Sequence, residues 1–261
     1  MDLDIAYANS DFIPNGADYP KKWKKLAANH RATHKILRLD QDYGEESANR
    51  YDFFLPEDAP KGVMIFVHGG YWMAFGRKDF SHLAAGALAQ GWAVAMPSYT
   101  LAPNARISQI TTEVATAIDV IAREVPGPIL LAGHSAGGHL VARMNCTDVP
   151  LACANRVQHI LSISPVGDLR PLMQTSMNET LQLDAAEAAA ESPTLNAKTR
   201  GVTTTVWVGA NERPAFLDQA QGLAMAWDEA DLVIAPDRHH FDVIDDLIAP
   251  DSSMIIRLVS P

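Results

Sequence analysis

Six short apolar runs recur along the chain from residue 63 onward, and longer segments with helical patterns separate them. The first, VMIFV, is apolar at every position, which is typical of a strand buried on both faces of a sheet. The runs span 63–67, 92–97, 128–133, 158–164, 203–209 and 231–236, and a further candidate strand, 49–56, precedes them. The pattern therefore predicts a sheet that lies inside the molecule.

The segments between the strands carry apolar residues at spacings of three and four, which is typical of amphipathic helices. The clearest apolar face comprises Ile107, Ile110, Val114, Ile118 and Ile121; further helices are expected over 79–90, 136–145, 214–228 and 241–248. Alternation of strands and helices predicts an α/β fold, with a mostly parallel sheet and helices on both faces. Ligands of such sheets bind beyond the carboxyl ends of the strands.

Two segments interrupt the alternation, residues 1–62 and residues 165–200. Connections this long usually form lids or binding elements, and the Ala- and Glu-rich part of the second one favours a helix. With 261 residues and no internal repeat or linker, we expect one domain over 1–261. Its small cap would come from the N-terminal extension 1–62 and from 165–200.

The charge balance excludes some classes of partner. With 21 basic and 31 acidic side chains the formal net charge is −10, which disfavours binding to nucleic acid or to an anionic membrane. The densest basic stretch, 20–31, is interpreted as the solvated face of an amphipathic helix rather than a phosphate site.

The cysteine count and the absence of a long apolar stretch bear on the cellular setting of the protein. Cys146 and Cys153 are too few and wrongly spaced for a disulfide scaffold or a zinc site. We expect neither a signal peptide nor a membrane-spanning helix, because the first ten residues, MDLDIAYANS, are not a basic region followed by an apolar run, and no apolar stretch approaches 18 residues. We expect a cytoplasmic protein, and a homodimer is left open.

A short glycine motif supplies the first candidate for chemistry. Residues 133–137 read G-H-S-A-G directly after an apolar run. A strand that turns this sharply into a helix needs the glycines, and it leaves the serine strained and exposed. Ser135 would also stand at the start of a helix, where the dipole favours developing negative charge. We predict that Ser135 is a nucleophile; the alternative is an ordinary serine in a tight turn.

A serine nucleophile needs a base, and the base needs an acid that orients it. In the strand–turn–helix arrangement the order is serine, acid, histidine, which leaves His159, His239 and His240. His159 falls at the start of a predicted strand, whereas the other two follow the last strand. Adjacent residues point in different directions, and we favour His240 because Phe241 begins the apolar pattern that would anchor its neighbour.

The acid should follow the preceding strand, and Glu212 is the first carboxylate there. Asp218 falls inside a predicted helix, and Asp237 lies only three residues before His240. A metal site formed by Asp237, His239, His240 and Asp242 is a weaker interpretation, because it lacks helical i, i+4 spacing and a third cluster.

Residues 66–76 read FVHGGYWMAFG, with two glycines between a histidine and two aromatic residues. Backbone N–H groups in such a loop can stabilise an oxyanion that comes within about 3 Å, and side chains at Gly69 and Gly70 would obstruct it. We expect Gly70 and Tyr71 to border the oxyanion site, together with the N–H of Ala136. No Gly-Lys-Ser/Thr follows, which argues against a phosphate-binding loop.

These motifs occur in an order that resembles the kynurenine formamidase (arylformamidase) branch of the α/β-hydrolase superfamily, which is related to HGG-type esterases. The similarity rests on HGGYW, GHSAGGHL, GANERPAF and HHFD, extends to SPVGDLRPLMQTSMNETLQLD, and covers about residues 15 to 250. It implies an α/β-hydrolase fold that needs neither cofactor nor metal. The implied roles are nucleophile for Ser135, base for His240, acid for Glu212, an oxyanion site at Gly70, Tyr71 and Ala136, and a substrate pocket bordered by Gly69 and Trp72.

Two positions depart from the family pattern. Many relatives have Asp where this chain has Glu212, and the extra methylene changes the reach of the carboxylate. Gly138 stands where the family often has alanine.

The leading hypothesis is a hydrolase that acts on a small-molecule acyl substrate through an acyl-enzyme, as an arylformamidase or a short-acyl carboxylesterase. A thioesterase or broad esterase of the same fold is the alternative within this class. Outside it, a ligand-binding module without catalysis would be expected to have lost the serine or the histidine.

Overall fold

An eight-stranded sheet forms the centre of the computed structural model, which describes residues 2–196 and 198–260. The strands are β1 (Leu37–Asp42), β2 (Arg50–Phe54), β3 (Val63–Val67), β4 (Ala93–Pro97), β5 (Ile129–His134), β6 (Val157–Ile163), β7 (Thr204–Gly209) and β8 (Ala230–Ala235). Their spatial order is β1-β2-β4-β3-β5-β6-β7-β8. β1 and β2 pair antiparallel with their neighbours, and the pairs from β4 to β8 are parallel.

The α-helices of the described residues are α1 (Leu3–Tyr7), α2 (Tyr19–Thr33), α3 (Ala85–Ala89), α4 (Ile107–Ile121), α5 (Ala136–Arg143), α6 (Asn178–Leu181), α7 (Ala185–Ala190), α8 (Pro214–Ala226) and α9 (Ser253–Val259). Short 3-10 turns cover Ser10–Phe12, Gly16–Asp18, Arg77–Asp79, Ser81–Ala84, Ala154–Arg156, Arg170–Gln174, Pro193–Leu195 and Val243–Leu247. None of these helices combines the length and apolar character needed to span a bilayer.

The core lies on both faces of the sheet, as the continuous apolar runs predict. Val63 and Ile65 pack in one cluster with residues of α4, whereas Met64 and Phe66 pack in the opposite cluster with residues of α9. The alternation of the pleat sends successive side chains of one strand to opposite faces, so that a central strand must be apolar throughout.

The predicted strands are all present, with ends that agree to within two residues. The helix predicted over 79–90 is instead two 3-10 turns followed by the short α3, and 241–248 holds only the 3-10 turn Val243–Leu247. Pro250 follows closely and limits how far a helix can extend. β1 and α9 were not predicted; β1 is a polar edge strand whose side chains are mostly exposed or half-buried, so it lacks the apolar signal of a strand.

Candidate active site

The turn between β5 and α5 holds Ser135 in a backbone conformation that is unusual for a residue other than glycine, with φ 56° and ψ −116°. A Cβ at Gly133 would lie 2.2 Å from Gly137 O, and one at Gly137 would lie 2.0 Å from Val67 O. The glycines of the G-H-S-A-G motif are therefore required by the packing of the turn against itself and against β3. The turn presents Ser135 at the carboxyl edge of the sheet.

His240 and Glu212 meet at the same edge, beyond the ends of β8 and β7. His240 Nδ1 lies 2.6 Å from Glu212 Oε2, and both side chains are buried. Glu212 Oε1 accepts hydrogen bonds from Gly209 N at 2.8 Å and from the hydroxyl of Ser164. Both carboxylate oxygens therefore have donors, and the carboxylate fixes the orientation of the imidazole ring.

The neighbouring candidates lie elsewhere. His239 Nε2 is 3.2 Å from the Tyr19 hydroxyl, and its Nδ1 accepts from the backbone N–H of Phe241. Asp218 and Asp237 are exposed. His159 is buried within β6, with Nε2 3.0 Å from the Thr205 hydroxyl.

The metal interpretation finds no support in the geometry. No group of three or more His, Cys, Asp or Glu side chains in residues 2–196 and 198–260 is arranged to hold a metal ion. His240 is paired with Glu212, and the ring of His239 is turned toward Tyr19.

Ser135 and His240 open onto one cavity of about 460 Å³. In the described part of the chain, no hydrogen bond joins Ser135 Oγ to His240. The two side chains therefore border the same cavity without a direct hydrogen bond between them. Catalytic hydrogen bonds are often long or absent until substrate is bound. The cavity holds both groups and has room for a small substrate beside them.

The loop after β3 borders this cavity with Gly69, Gly70 and Tyr71. A Cβ at Gly69 would lie 2.8 Å from His134 O, and one at Gly70 would lie 2.4 Å from Ala74 O. Gly70 also has φ 105°. The protein's own backbone is therefore sufficient to exclude side chains at both positions, whether or not a substrate oxygen approaches them.

Three backbone N–H groups, two in this loop and one at the start of α5, are unpaired. In the described residues, the backbone N–H groups of Gly70, Tyr71 and Ala136 have no hydrogen-bond acceptor. Gly70 and Tyr71 line the cavity, and Ala136 directly follows Ser135 in the chain. The three N–H groups predicted to surround an oxyanion therefore belong to residues that line the cavity or adjoin Ser135, and none of the three has an acceptor within the described residues.

Trp72 was expected to border the substrate pocket and does not. Its side chain is fully buried in the core and packs edge-on against His139 at 5.1 Å between ring centroids. Trp72 has φ 57° and Tyr71 has φ 50°, so the chain twists sharply and sends the two rings in different directions. Tyr71 lines the cavity, and its hydroxyl donates to Tyr7 O at 2.6 Å.

His134 supports the loop that carries the candidate base. Its Nε2 donates to the backbone oxygen of His240 at 2.8 Å, since a carbonyl can only accept. Burial, and then the neighbouring His240, hold the pKa of His134 well below its ordinary value. His134 therefore stays neutral and acts as a fixed donor, a role that the sequence motif did not reveal.

Most of the cavity wall was not identified from the sequence. Apolar side chains form much of its lining, and residues of the N-terminal segment and of the 165–200 segment also border it. The apolar part of the lining includes Trp23, Met73, Phe75, Phe80, Met177 and Phe241, and the lining also includes Asp4, Tyr7, Asn9, Asp11 and Ser176. A signal available in the sequence was Trp23, an aromatic residue between four lysines of α2; the lysines are exposed and Trp23 is buried.

A mostly parallel eight-stranded sheet with Ser135 on a strained strand-to-helix turn defines the class of the α/β hydrolases. Residues 64–233 match the model of a protein family whose description is 'alpha/beta hydrolase fold'. The match covers well over half of the chain, so the chain belongs to this family and is a hydrolytic enzyme.

The relatives confirm the resemblance indicated by the motifs. A kynurenine formamidase of Danio rerio is 26% identical over 224 residues, which are 80% of this chain and 76% of the relative. One of Drosophila melanogaster is 26% identical over 234 residues, 83% of this chain and 75% of the relative.

Solved structures extend the likeness to the whole fold. A protein of Silicibacter sp. TM1040, provisionally described as a thioesterase, is 50% identical and superposes with a TM-score of 0.97 over 100% of both chains. Esterase B of Lactobacillus rhamnosis is 16% identical, with a TM-score of 0.69 over 92% of this chain and 90% of its own; this likeness concerns the fold alone.

Proposed function

We propose that the protein is a serine-dependent acyl hydrolase whose preferred substrate is an arylformamide of the N-formylkynurenine type. The observation that carries the proposal is the buried Glu212–His240 pair, whose histidine lines one aromatic-walled cavity together with Ser135. A serine, an oriented imidazole and unpaired backbone donors are the groups that acyl transfer requires.

In the proposed mechanism Ser135 Oγ attacks the formyl carbon while His240 Nε2 takes the hydroxyl proton. The oxygen of the tetrahedral intermediate accepts from the free N–H groups of Gly70, Tyr71 and Ala136, and Glu212 stabilises the imidazolium. Collapse breaks the C–N bond, and the proton held by His240 goes to the leaving amine. Water then attacks the formyl-enzyme by the same route and releases formate.

The cavity wall supports an aromatic leaving group. Trp23 contacts three other rings of the wall, with centroids 5.8 Å from Phe75, 5.3 Å from Phe80 and 5.2 Å from Phe241. Such edge and tilted contacts make a continuous apolar surface on which a flat ring can pack. The kynurenine formamidases among the relatives agree with this substrate class.

A thioesterase is the second candidate, favoured by the provisional description of the relative that is 50% identical. The same nucleophile and oxyanion donors would serve a thioester, and short-chain esters need no different machinery. We also propose that the protein works in the cytoplasm, because its two cysteines are free thiols.

The three candidate activities are distinguished by measuring kcat/KM in one buffer for three substrates: N-formyl-L-kynurenine, p-nitrophenyl acetate and S-phenyl thioacetate. We expect the formamide to have the highest kcat/KM. Ser135→Ala should abolish turnover of all three and leave the melting temperature near that of the wild type. If only the ester or the thioester is cleaved, the formamidase assignment falls; if Ser135→Ala remains active, the nucleophile assignment falls. A wild type that binds these compounds and cleaves none would be a binding module.

A further inference from the structure

The loop of residues 69–75, which carries two of the unpaired N–H groups, has an unusual backbone. Tyr71, Trp72 and Phe75 have positive φ, at 50°, 57° and 71°. Such conformations are unfavourable for residues other than glycine and persist only where the surroundings impose them. For Trp72 the core does so, because its side chain is fully buried and its backbone oxygen accepts from Ala102 N at 2.9 Å. The backbone of Tyr71 has no hydrogen bond within the described residues, so its side chain must hold it.

The hydroxyl of Tyr71 ties this loop to the N-terminal segment. It donates to Tyr7 O at 2.6 Å, across 64 positions of the chain. Tyr7 is the last residue of α1, and the final carbonyls of a helix have no donor within the helix. The bond therefore satisfies a carbonyl at a helix end and fixes the side chain of Tyr71 at the same time.

Tyr7 is itself held by α8. Its side chain is buried, and its hydroxyl accepts from Gln219 Nε2 at 2.7 Å. Gln219 is buried as well, and its Oε1 accepts from Asp168 N at 2.7 Å. The Tyr7 ring packs edge-on against Phe216 at 6.0 Å between centroids, and the Phe216 ring lies 4.3 Å from that of His240. One helix thus contacts both the residue that anchors the loop and the candidate base.

We propose that the Tyr71 hydroxyl is a positioning group for the oxyanion donors, held in turn by the chain from Gln219 through Tyr7. This inference rests on the proposed function, because the loop needs to be fixed only if an oxyanion forms beside it. Oxyanion donors act mainly in the transition state, and their effect depends on their being fixed before the reaction. Loss of the anchor should therefore slow the reactions of Ser135 without weakening the binding of a ligand that forms no oxyanion.

Tyr71→Phe removes the hydroxyl and keeps the ring. Two reactions of Ser135 are measured: hydrolysis of p-nitrophenyl acetate, and labelling by diethyl p-nitrophenyl phosphate, in which Ser135 Oγ displaces p-nitrophenolate from phosphorus. We expect kcat/KM and the second-order rate constant of labelling both to fall about tenfold, through loss of one hydrogen bond. The dissociation constant of 2-aminoacetophenone, an aromatic amine of the leaving-group kind, should change less than about twofold.

Tyr43→Phe is the matched control. Tyr43 is buried, and its hydroxyl also donates at 2.6 Å to a backbone oxygen, that of Ser98. Tyr43 does not line the cavity. Its variant should lower the melting temperature by an amount similar to that of Tyr71→Phe and leave the rate of labelling unchanged.

A double variant tests whether the groups act as one chain. Tyr7→Phe keeps the carbonyl that accepts from Tyr71 but loses the hydrogen bond to Gln219, so labelling should slow about threefold. Combined with Tyr71→Phe, the loss should stay near about tenfold rather than reach about thirtyfold, because a released loop no longer depends on how Tyr7 is held.

Labelling of Tyr71→Phe at the wild-type rate would overturn the positioning role, as would an equal loss in Tyr43→Phe or an equal loss of 2-aminoacetophenone binding. Additive losses in the double variant would overturn the chain through Tyr7.

The two proposals can fail separately. If the wild type is labelled but does not hydrolyse N-formyl-L-kynurenine, and Tyr71→Phe is labelled more slowly, the formamidase function falls and the positioning role stands. Hydrolysis of the formamide at equal rates by the wild type and Tyr71→Phe would retain the function and remove the role. A wild type that is neither labelled nor active would overturn both.

Discussion

His240 Nδ1 lies 2.6 Å from Glu212 Oε2, and the other oxygen of this carboxylate is held by Gly209 N and by Ser164. A glutamate reaches the imidazole here because two donors fix its far oxygen, which offsets the freedom of the additional methylene. The departure from aspartate at this position is therefore compatible with an oriented base.

Glu212→Gln tests the acid. The amide can no longer stabilise an imidazolium and favours the wrong tautomer, so kcat should fall by about 10⁴-fold. Asp218→Asn removes an exposed carboxylate on α8 and should leave the rate unchanged. Steady-state kinetics of both variants on the best of the three substrates is the measurement; the reverse pattern would transfer the acid role to Asp218.

Ser164→Ala tests how the acid is held. Loss of a hydrogen bond to a charged group should lower kcat by about tenfold, with little change in KM, because the carboxylate gains freedom to rotate. Ser162→Ala is the matched control, since Ser162 is equally buried and donates at 2.8 Å to Gly138 O rather than to Glu212. Equal losses of kcat in both variants would mean a general disturbance of β6.

The carboxyl edge of the sheet was predictable because each central strand contains a recognisable apolar run, even where polar residues such as His159 interrupt it, and is followed by a residue of distinct chemistry. Ser135, Glu212 and His240 could be predicted from that order together with the G-H-S-A-G motif and the apolar pattern that begins at Phe241. Ser164 could not, because nothing in the sequence distinguishes a serine that holds the acid from one that ends a strand. Its contact with Glu212 spans 48 positions along the chain and arises from the pairing of β6 with β7.

The cavity wall was the least predictable part. Trp23, Phe75, Phe80 and Phe241 come from separate segments of the chain, and an aromatic residue has the same sequence pattern whether it packs in a core or borders a cavity. Trp72 is the converse case: it was expected to border the substrate pocket but is buried in the core, whereas its neighbour Tyr71 lines the cavity. A left-handed backbone at both positions decides this, and it cannot be seen in the residue types.

Because of His82, we expect the free energy of unfolding to decrease in mild acid. It is buried, both ring nitrogens lack a partner in the described residues, and burial, followed by the charge of His30, lowers its pKa to about 4. In the unfolded chain its pKa is about 6.5, so between pH 6.5 and 4 the unfolded state binds more protons. The free energy of unfolding should therefore fall as the pH falls through this window.

His82→Leu should make that pH dependence shallower and leave the stability at pH 7 equal or higher, because it replaces unpaired buried polar atoms by apolar ones. Urea unfolding of both proteins at intervals between pH 7 and 4.5 measures the change. Other buried histidines retain part of the slope, since the pKa of His68 is also lowered to about 4, mainly by burial. An unchanged slope in the variant would show that His82 is not the group that titrates.

We expect alanine at position 138 to destabilise this protein, although the family pattern often has alanine there. A Cβ there would lie 2.7 Å from Ile163 O, at the end of β6, so that strand or α5 must move. Gly138→Ala should lower the free energy of unfolding by about 1–3 kcal/mol, the usual cost of overpacking. It should also lower kcat, because α5 begins directly after Ser135.

Gly222→Ala provides the contrast for Gly138→Ala. Gly222 lies within α8, and the nearest atom to its added Cβ would be Thr194 Cγ2 at 3.9 Å. Alanine there reduces the entropy of the unfolded chain without a clash and should stabilise by about 0.4–1 kcal/mol. Urea unfolding and kcat measured on both variants separate backbone crowding from helix propensity. A stable, fully active Gly138→Ala protein would mean that β6 yields at low cost, and that glycine is not required at this position.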